Sequence, residues 1–382
     1  GSDAVGGVMS FSTLEPVLTA GERYVGGSGF FRSASANDEL SGHVDLSVSD
    51  RRWGFVVSAT RSDFDDLRIG GEGLPEFDRL EYVERRNGRD VVLSNPDPDV
   101  MVPSGYDQTN VMQKLRFVPS DEWTLDYAFH FSESSDVPRY DRLTERRDGA
   151  LRYAEWHYGP QKWQMHTLSA RYGGSNALFD TARMLVAYQA FEESRNDRKF
   201  DDPWRRERTE TVDAWSFNLD MDRIFDEDKR LYYGAEVVHN EVGSRGLQTN
   251  IDTGETEAVS TRYPDGSTWT SLAAYASYTW NPRPDTTIVA GARYNHVSID
   301  ADFDLTFYPF PFETIDIDTG SPTGSLGLVY RPSDALQINL NASTGFRAPN
   351  IDDVGKVFES SPGNVVVPNG DLDSEFVWSF DA

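Results

Sequence analysis

The chain has 382 residues and a formal net charge of −27, with 63 acidic side chains against 36 basic ones. So acidic a chain argues against nucleic acid as a partner, because phosphate backbones are bound by basic surfaces. The absence of cysteine excludes disulfides and thiolate metal sites.

Apolar and polar residues alternate with a period of two along almost the whole chain, beginning with residues 44–49. The clearest run starts at Trp123, where every second residue up to Phe131 is apolar and the residues between them are small or polar. Residues 215–222 and 336–343 repeat the pattern. Because successive strand side chains point to opposite faces, each run has one apolar and one polar face. No comparable segment has helical spacing, so the sequence predicts an all-β fold.

The connections between these runs alternate in length. Short turns are predicted at residues 50–52, 119–122, 173–176, 226–229, 282–285 and 332–335. Long polar connections are predicted at roughly 63–106, 134–163, 192–210, 243–267, 300–320 and 349–375. Outer-membrane barrels combine short periplasmic turns with long external loops in this way. Aromatic residues beside the short turns, such as Phe117 and Trp123, fit an aromatic girdle at the headgroup level.

These runs predict an antiparallel transmembrane β-barrel, of which about 14 strands are present and the last breaks off near Ala382. An open sheet in lipid leaves backbone groups unpaired, so we expect further strands outside this sequence to close the barrel. The sequence from Gly1 onward shows no basic and apolar signal-peptide pattern, and for an exported protein we expect such a segment upstream. The alternative of a soluble β-sandwich or propeller does not account for aromatic residues at every short turn.

Two stretches carry a family likeness. Residues 1–11, GSDAVGGVMSF, resemble the last conserved piece of the plug domain of TonB-dependent receptors, which leads into the first barrel strand, here expected near Gly21. Residues 345–350, GFRAPN, and 363–372, GNVVVPNGDL, are similar to the FRAP segment and the downstream N-P-x-L-like segment of these receptors. From the order and separation of these motifs, the chain is identified as a member of that family.

The resemblance implies a barrel of about 22 strands that encloses a globular plug domain. Residues 1–14 then form the C-terminal end of the plug, almost all of which is missing, and residues 15–382 form part of the barrel. The implied protein lies in the outer membrane of a Gram-negative-type bacterium, in contact with its lipid. It imports a scarce nutrient, and a ferric siderophore or another iron complex is the favoured ligand. A TonB-type partner supplies energy through a segment that this chain does not contain.

Several alternatives remain open from the sequence. Haem, cobalamin and oligosaccharides are possible ligands, although residues 350–372 contain no histidine of the kind that a haem receptor usually has there. A passive porin-like channel or an adhesin is the main alternative function, and a soluble acidic β-rich enzyme is a lesser one. No phosphate-binding or nucleophile motif is present, so we expect neither an enzyme nor a cofactor.

Two aromatic clusters in the predicted loops are candidates for ligand binding, because exposed aromatic rings supply rigid contact area. The first is Trp156, His157 and Tyr158, and the second contains Tyr308 and Phe310. The alternative is that these rings pack the loops against one another.

Arg347 and Asn350 of the FRAP-like segment are further candidates for ligand binding. The Arg347 guanidinium can bind an anionic ligand, or equally a carboxylate of the plug.

Asp300, Asp302 and Asp304 form a D-x-D-x-D run whose oxygens could bind calcium. The run departs from the EF-hand template, since Leu305 stands where glycine is needed and Pro311 where glutamate is needed. Strand alternation, with the acids on the wet face, explains the spacing equally well.

Overall fold

The computed structural model describes residues 9–70, 74–361 and 364–382. Fourteen long strands of this part of the chain form one antiparallel sheet, in which each strand pairs with its neighbours in sequence. They are β1 (Tyr24–Ala34), β2 (Glu39–Ser49), β3 (Trp53–Phe64), β4 (Tyr106–Ser120), β5 (Trp123–Ser134), β6 (Lys162–Gly173), β7 (Thr181–Lys199), β8 (Trp204–Asp226), β9 (Lys229–Asn250), β10 (Ser267–Arg283), β11 (Thr286–Asp302), β12 (Thr314–Ser333), β13 (Leu336–Arg347) and β14 (Glu375–Asp381). The predictions of an all-β fold and of about 14 strands are confirmed.

The long connections lie at one end of the sheet, and we call this end the loop end. They contain short helices and short strands. Two short α-helices, α1 (Tyr140–Leu143) and α2 (Ile351–Val354), lie there with a 3-10 turn at Pro75–Phe77. None of the helices in the described residues is long and apolar enough to span a membrane. The short strands are Glu81–Arg86, Arg89–Ser94, Val137–Pro138, Arg146–Arg147, Ala150–Leu151, Tyr153–Tyr158, Thr256–Ala258, Phe358–Ser361 and Asn364–Val366.

The two faces of the sheet differ in polarity, as the alternation predicts. Apolar side chains in the middle of the strands, such as Leu168 and Leu272, point outward and are exposed. At the opposite end, the turn end, the rings of Trp53 and Phe117 stack with their centroids 3.9 Å apart. This outer face, apolar in the middle and aromatic near the turns, matches a surface in contact with lipid.

The six short turns lie where they are predicted, but three of the long connections are shorter than expected. The prediction of a connection over 192–210 is wrong, because β7 continues to Lys199 and β8 begins at Trp204. The predicted connections 243–267 and 300–320 likewise shrink to 251–266 and 303–313. The strands continue beyond the apolar band into water, where their charged side chains are solvated or paired across strands.

The segment of residues 15–19 lies against the inner face of the sheet near the turn end, whereas residues 9–14 are exposed. Pro16 is fully buried there, and its carbonyl oxygen accepts a hydrogen bond of 3.2 Å from Arg116 Nη1. A Cβ atom on Gly54 would lie 2.9 Å from Pro16 Cβ, so glycine permits this close approach. The plug-like residues 1–8 and Gly363 of the second motif lie outside the described residues.

An apolar core lies on the inner face at the loop end and fixes the position of α2. The buried side chains of Ile299, Phe346 and Val354 are at most 2% exposed and belong to this core. Burying a large apolar side chain contributes roughly 1.5–3 kcal/mol to stability. The core therefore anchors the chain that follows β13 against the sheet.

Candidate functional site

A cavity of about 470 Å³ opens on the inner face of the sheet at the loop end. Its size falls within the range of about 300–1,000 Å³ that is usual for small-molecule sites. Strands β8, β9 and β10, the connection between β9 and β10, the end of β13 and helix α2 form its wall. The lining residues are Glu210, Val212, Asn240, Val242, Tyr263, Trp269, Arg347, Ala348, Asn350, Ile351 and Asp352.

The FRAP-like segment supplies one side of this cavity because it turns directly from β13 into α2. The Asn350 side chain accepts a hydrogen bond of 3.0 Å from the Asp353 backbone N–H, and the Asp353 carboxylate accepts one of 3.1 Å from the Asn350 N–H. This reciprocal capping box fixes the start of the helix. Arg347 Nη2 lies 2.7 Å from Asp353 Oδ2. The cavity thus contains the predicted Arg347 and Asn350, and both bind Asp353.

Asp352 occupies the rim of the cavity and is well paired. Tyr263 Oη donates a hydrogen bond to Asp352, and Lys356 Nζ lies 2.9 Å from its other oxygen. Burial opposes ionisation of Asp352, but the hydrogen bonds from Tyr263 and Lys356 hold the pKa of its carboxyl below the ordinary value. Burial, reinforced by the hydrogen bond to Asp352, raises the pKa of the Tyr263 phenol. Both groups therefore keep their usual charge at neutral pH.

Glu210 on β8 is the exception in this cavity. Its side chain faces inward, the residue is 5% exposed, and neither carboxylate oxygen has a hydrogen-bond partner among the described residues. Burial raises the pKa of Glu210 to about 7, although the charges of Arg195 and Arg262 oppose the shift. The outward apolar residues of β8 begin at Trp215, so Glu210 lies beyond the lipid-facing band.

Glu210 is not among the residues that the sequence predicts for the site, because the charged composition of residues 192–210 predicts a polar connection there. A usable signal was present, since Glu210, Val212 and Ala214 continue the inward-facing positions of the run that includes Ser216. Extending the period of two backwards from Trp215 places the glutamate on the inner face.

The cluster of Trp156, His157 and Tyr158 lies outside the cavity. These residues belong to the strand Tyr153–Tyr158, which pairs with the end of β7. The Arg139 guanidinium lies 5.0 Å from the Trp156 ring centroid, and Arg139 Nη1 donates a hydrogen bond of 2.9 Å to Tyr158 Oη. His157 Nδ1 lies 3.4 Å from Asp136. The Trp156 and Tyr158 rings thus pack against loop residues, as the alternative interpretation allows.

The second aromatic cluster forms a stack within the connection between β11 and β12. Phe310 stacks on Phe312 with a centroid distance of 5.7 Å, and Tyr308 stacks on Phe310 at 5.8 Å. Phe312 and Phe303 pack against the apolar core. Tyr308 and Phe310 lie outside the cavity lining, and their rings hold this connection together.

The three predicted metal ligands, Asp300, Asp302 and Asp304, do not share one set of contacts. Asp300 and Asp302 belong to β11, where Asp300 pairs in register with Asp316. Asp304 lies beyond the strand and accepts a hydrogen bond of 2.8 Å from the Thr306 backbone N–H. In the described ranges, no group of three or more His, Asp or Glu side chains is placed to hold a metal ion.

The family description "TonB dependent receptor-like, beta-barrel" matches residues 88–382. The chain belongs to the TonB-dependent receptor β-barrel family. No curated protein sequence matches it.

Several solved structures have a fold similar to that of this chain. "Copper transporter OprC" has a TM-score of 0.66 and 13% identity, with 89% of this chain and 48% of that chain covered. The hemophore receptor HasR of Serratia marcescens, in complex with its hemophore HasA and heme, has a TM-score of 0.65 and 10% identity over 94% of this chain and 50% of that one. The ferric yersiniabactin uptake receptor FyuA of Yersinia pestis has a TM-score of 0.58 and 16% identity over 98% and 52%. This barrel chain thus spans about half the length of these receptors.

Proposed function

We propose that the chain is part of an outer-membrane receptor that actively imports a bulky chelated nutrient, most simply a ferric siderophore or another iron complex. The observation that carries the proposal is the mixed apolar and charged cavity at the loop end, in whose wall the FRAP-like segment lies. The family match and the likeness to a copper transporter, a hemophore receptor and a ferric yersiniabactin uptake receptor support import as the activity.

In this proposal the candidate residues have two different roles. Arg347 and Asn350 contact the ligand in the cavity, while Trp156, His157, Tyr158, Tyr308 and Phe310 line its approach through the loops. Residues 1–14 form the end of a plug domain, which is supported by the position of the next residues, 15–19, against the inner face. A TonB-type protein in the periplasm drives import.

The test is uptake of radioactive iron by the source bacterium with and without the receptor gene. Cells are given a panel of ferric hydroxamates, ferric catecholates and haem under iron limitation. We expect that deleting the receptor gene abolishes accumulation of at least one complex and that deleting the energy-coupling protein does the same.

Two outcomes contradict this function. Uptake that needs the receptor but not the energy-coupling protein identifies a passive porin-like channel. Unchanged accumulation of every complex in the deletion strain excludes iron import.

A further inference from the structure

Glu210 is deeply buried, and neither of its carboxylate oxygens has a hydrogen-bond partner among the described residues. A buried carboxylate without hydrogen bonds is costly, because nothing replaces the water that it loses. The cavity that Glu210 faces is lined mainly by apolar side chains such as Val212, Val242 and Trp269. An unpaired carboxylate in such a place is explained by a ligand group that supplies the missing donors.

The other charged groups around Glu210 are engaged in part, although Arg195 Nε and Arg262 Nε have no hydrogen-bond partner among the described residues. Arg195 Nη2 lies 3.4 Å from Glu193 Oε1 on the same strand. Arg262 lies 3.5 Å from Asp352 and 4.0 Å from Glu193.

Two further arginines beside the cavity are also bound by neighbouring groups. Arg208 Nε donates a hydrogen bond of 3.0 Å to the Ser260 carbonyl. Arg347 lies 2.7 Å from Asp353. Three charged side chains line the cavity: Glu210, Arg347 and Asp352. Arg347 and Asp352 have hydrogen-bond partners, whereas the described residues offer Glu210 none.

We propose that Glu210 binds a protonated amine of the imported ligand, so that the receptor selects an amine-bearing chelate. This inference rests on the proposed import function. An ammonium group has three donors and can satisfy both carboxylate oxygens, whereas a hydroxyl group has only one donor. A charge-assisted bond of this kind is about twice as strong as a neutral one in a site shielded from water. The rings of Trp269 and Tyr263 then contact the apolar part of the ligand.

Other ligand groups fit Glu210 less well. A carboxylate or phosphate group on the ligand would be repelled by Glu210 when it is ionised. A bare metal ion needs several oxygen ligands, and Asp352, the other carboxylate in the lining, is already bound to Tyr263 and Lys356.

The binding of an amine by Glu210 depends on pH in a specific direction. The free carboxyl has a pKa of about 7, because burial and the charge of Glu193 raise it while the charges of Arg195, Arg262 and Arg208 oppose the shift. An alkyl ammonium remains charged throughout this range, so affinity rises as Glu210 ionises. From pH 5.5 to pH 8 the ionised fraction, and hence the affinity, increases roughly 30-fold.

The experiment uses the complete receptor in detergent and two small probes, phenethylamine and its neutral N-acetyl derivative. Dissociation constants are measured by ligand-observed NMR at pH 5.5 and pH 8. We expect phenethylamine to bind at least tenfold more tightly than the derivative at pH 8. The variant Glu210→Gln should abolish this preference and its pH dependence. Glu241→Gln, which alters an exposed outward-facing carboxylate on β9, should leave both unchanged.

Two results overturn the inference. One is equal binding of the two probes, or binding of neither, to the wild-type receptor. The other is a preference that persists in folded Glu210→Gln, with folding checked by the heat-modifiable gel mobility of the barrel. Iron uptake in cells is scored separately. Uptake without amine selectivity contradicts only the role of Glu210, and amine selectivity without uptake contradicts only the import function.

Discussion

At the scale of single residues, the cavity contains two carboxylates that differ in their hydrogen bonding. Asp352 is stabilised as an anion by Tyr263 and Lys356, whereas the part of the chain that the structure describes offers Glu210 no hydrogen-bond donor. Both are acidic side chains near the same helix, so their different behaviour comes from their neighbours. A raised pKa at a buried carboxylate also makes folding stability depend on pH.

Glu210→Gln is expected to stabilise the receptor at alkaline pH. The folded pKa of about 7 lies above the ordinary value of 4.5, so stability is fully present below pH 4.5 and is lost as pH rises through 7. At pH 8 the loss amounts to about 3 kcal/mol, which the neutral glutamine avoids. Urea unfolding in detergent micelles at pH 5 and pH 8 measures the difference.

The matched control for this prediction is Glu241→Gln, whose carboxylate is exposed on the outer face. A variant Glu210→Gln that is no more stable than wild type at pH 8 would show that water or another group already satisfies the glutamate.

At the scale of elements, the hairpin formed by Glu81–Arg86 and Arg89–Ser94 is held to β7 by a buried ion pair. Arg198 makes two hydrogen bonds to Asp90, of 2.7 and 2.9 Å, and a third of 2.8 Å to Glu155. Burial opposes ionisation of Asp90, but the bonds from Arg198 and the Asp201 N–H keep the pKa of its carboxyl below the ordinary value. This pair ties an external loop to the sheet.

Asp90→Asn is expected to release the hairpin from the sheet. Removing one member of a buried pair costs up to about 3–5 kcal/mol, borne mainly by the docking of the loop, and leaves Arg198 with the Glu155 carboxylate as its remaining ion-pair partner among the described residues. Hydrogen–deuterium exchange should become faster over residues 81–94 while β7 and β8 stay protected.

The control for the hairpin is Asp252→Asn, which removes the half-exposed partner of Arg85. Exposed pairs contribute at most about 1 kcal/mol, so exchange should hardly change. Equal exchange in the two variants would mean that apolar contacts, not Asp90, hold the hairpin.

At the scale of the whole molecule, the two faces of the sheet meet different surroundings. Leu340 on β13 points outward, whereas its neighbour Asn339 points inward, because adjacent strand residues alternate. In the outer-membrane location proposed above, the outer face contacts lipid and the inner face contacts the polar lumen. Charge should therefore be tolerated on one face and not on the other.

Leu340→Lys is expected to destabilise the receptor by about 2–4 kcal/mol, the cost of a lysine on the lipid face near the membrane centre. Asn339→Lys, one residue away, should cost less than about 1 kcal/mol. Urea unfolding in lipid vesicles compares the two variants. Equal costs would be incompatible with a lipid-facing surface at this position.

The sequence by itself determined the features that depend on local patterning. The run from Trp123 to Phe131 specifies a strand with one apolar face, since alternation is a property of consecutive residues. The short turns follow from the polar residues that interrupt such runs. The strand character of 192–210 was missed, because charged strands above the membrane have the composition of loops.

Only the tertiary structure decided which residues share the cavity. Glu210, Trp269 and Arg347 are far apart in the chain, and strand order together with the fold of α2 brings them to one wall. Sequence placed Arg347 and Asn350 near a site through the FRAP-like motif, but it did not reveal Glu210, and it left open that Trp156 and Tyr308 pack within loops. The physical reason is that burial and missing hydrogen bonds are properties of surroundings built by distant segments.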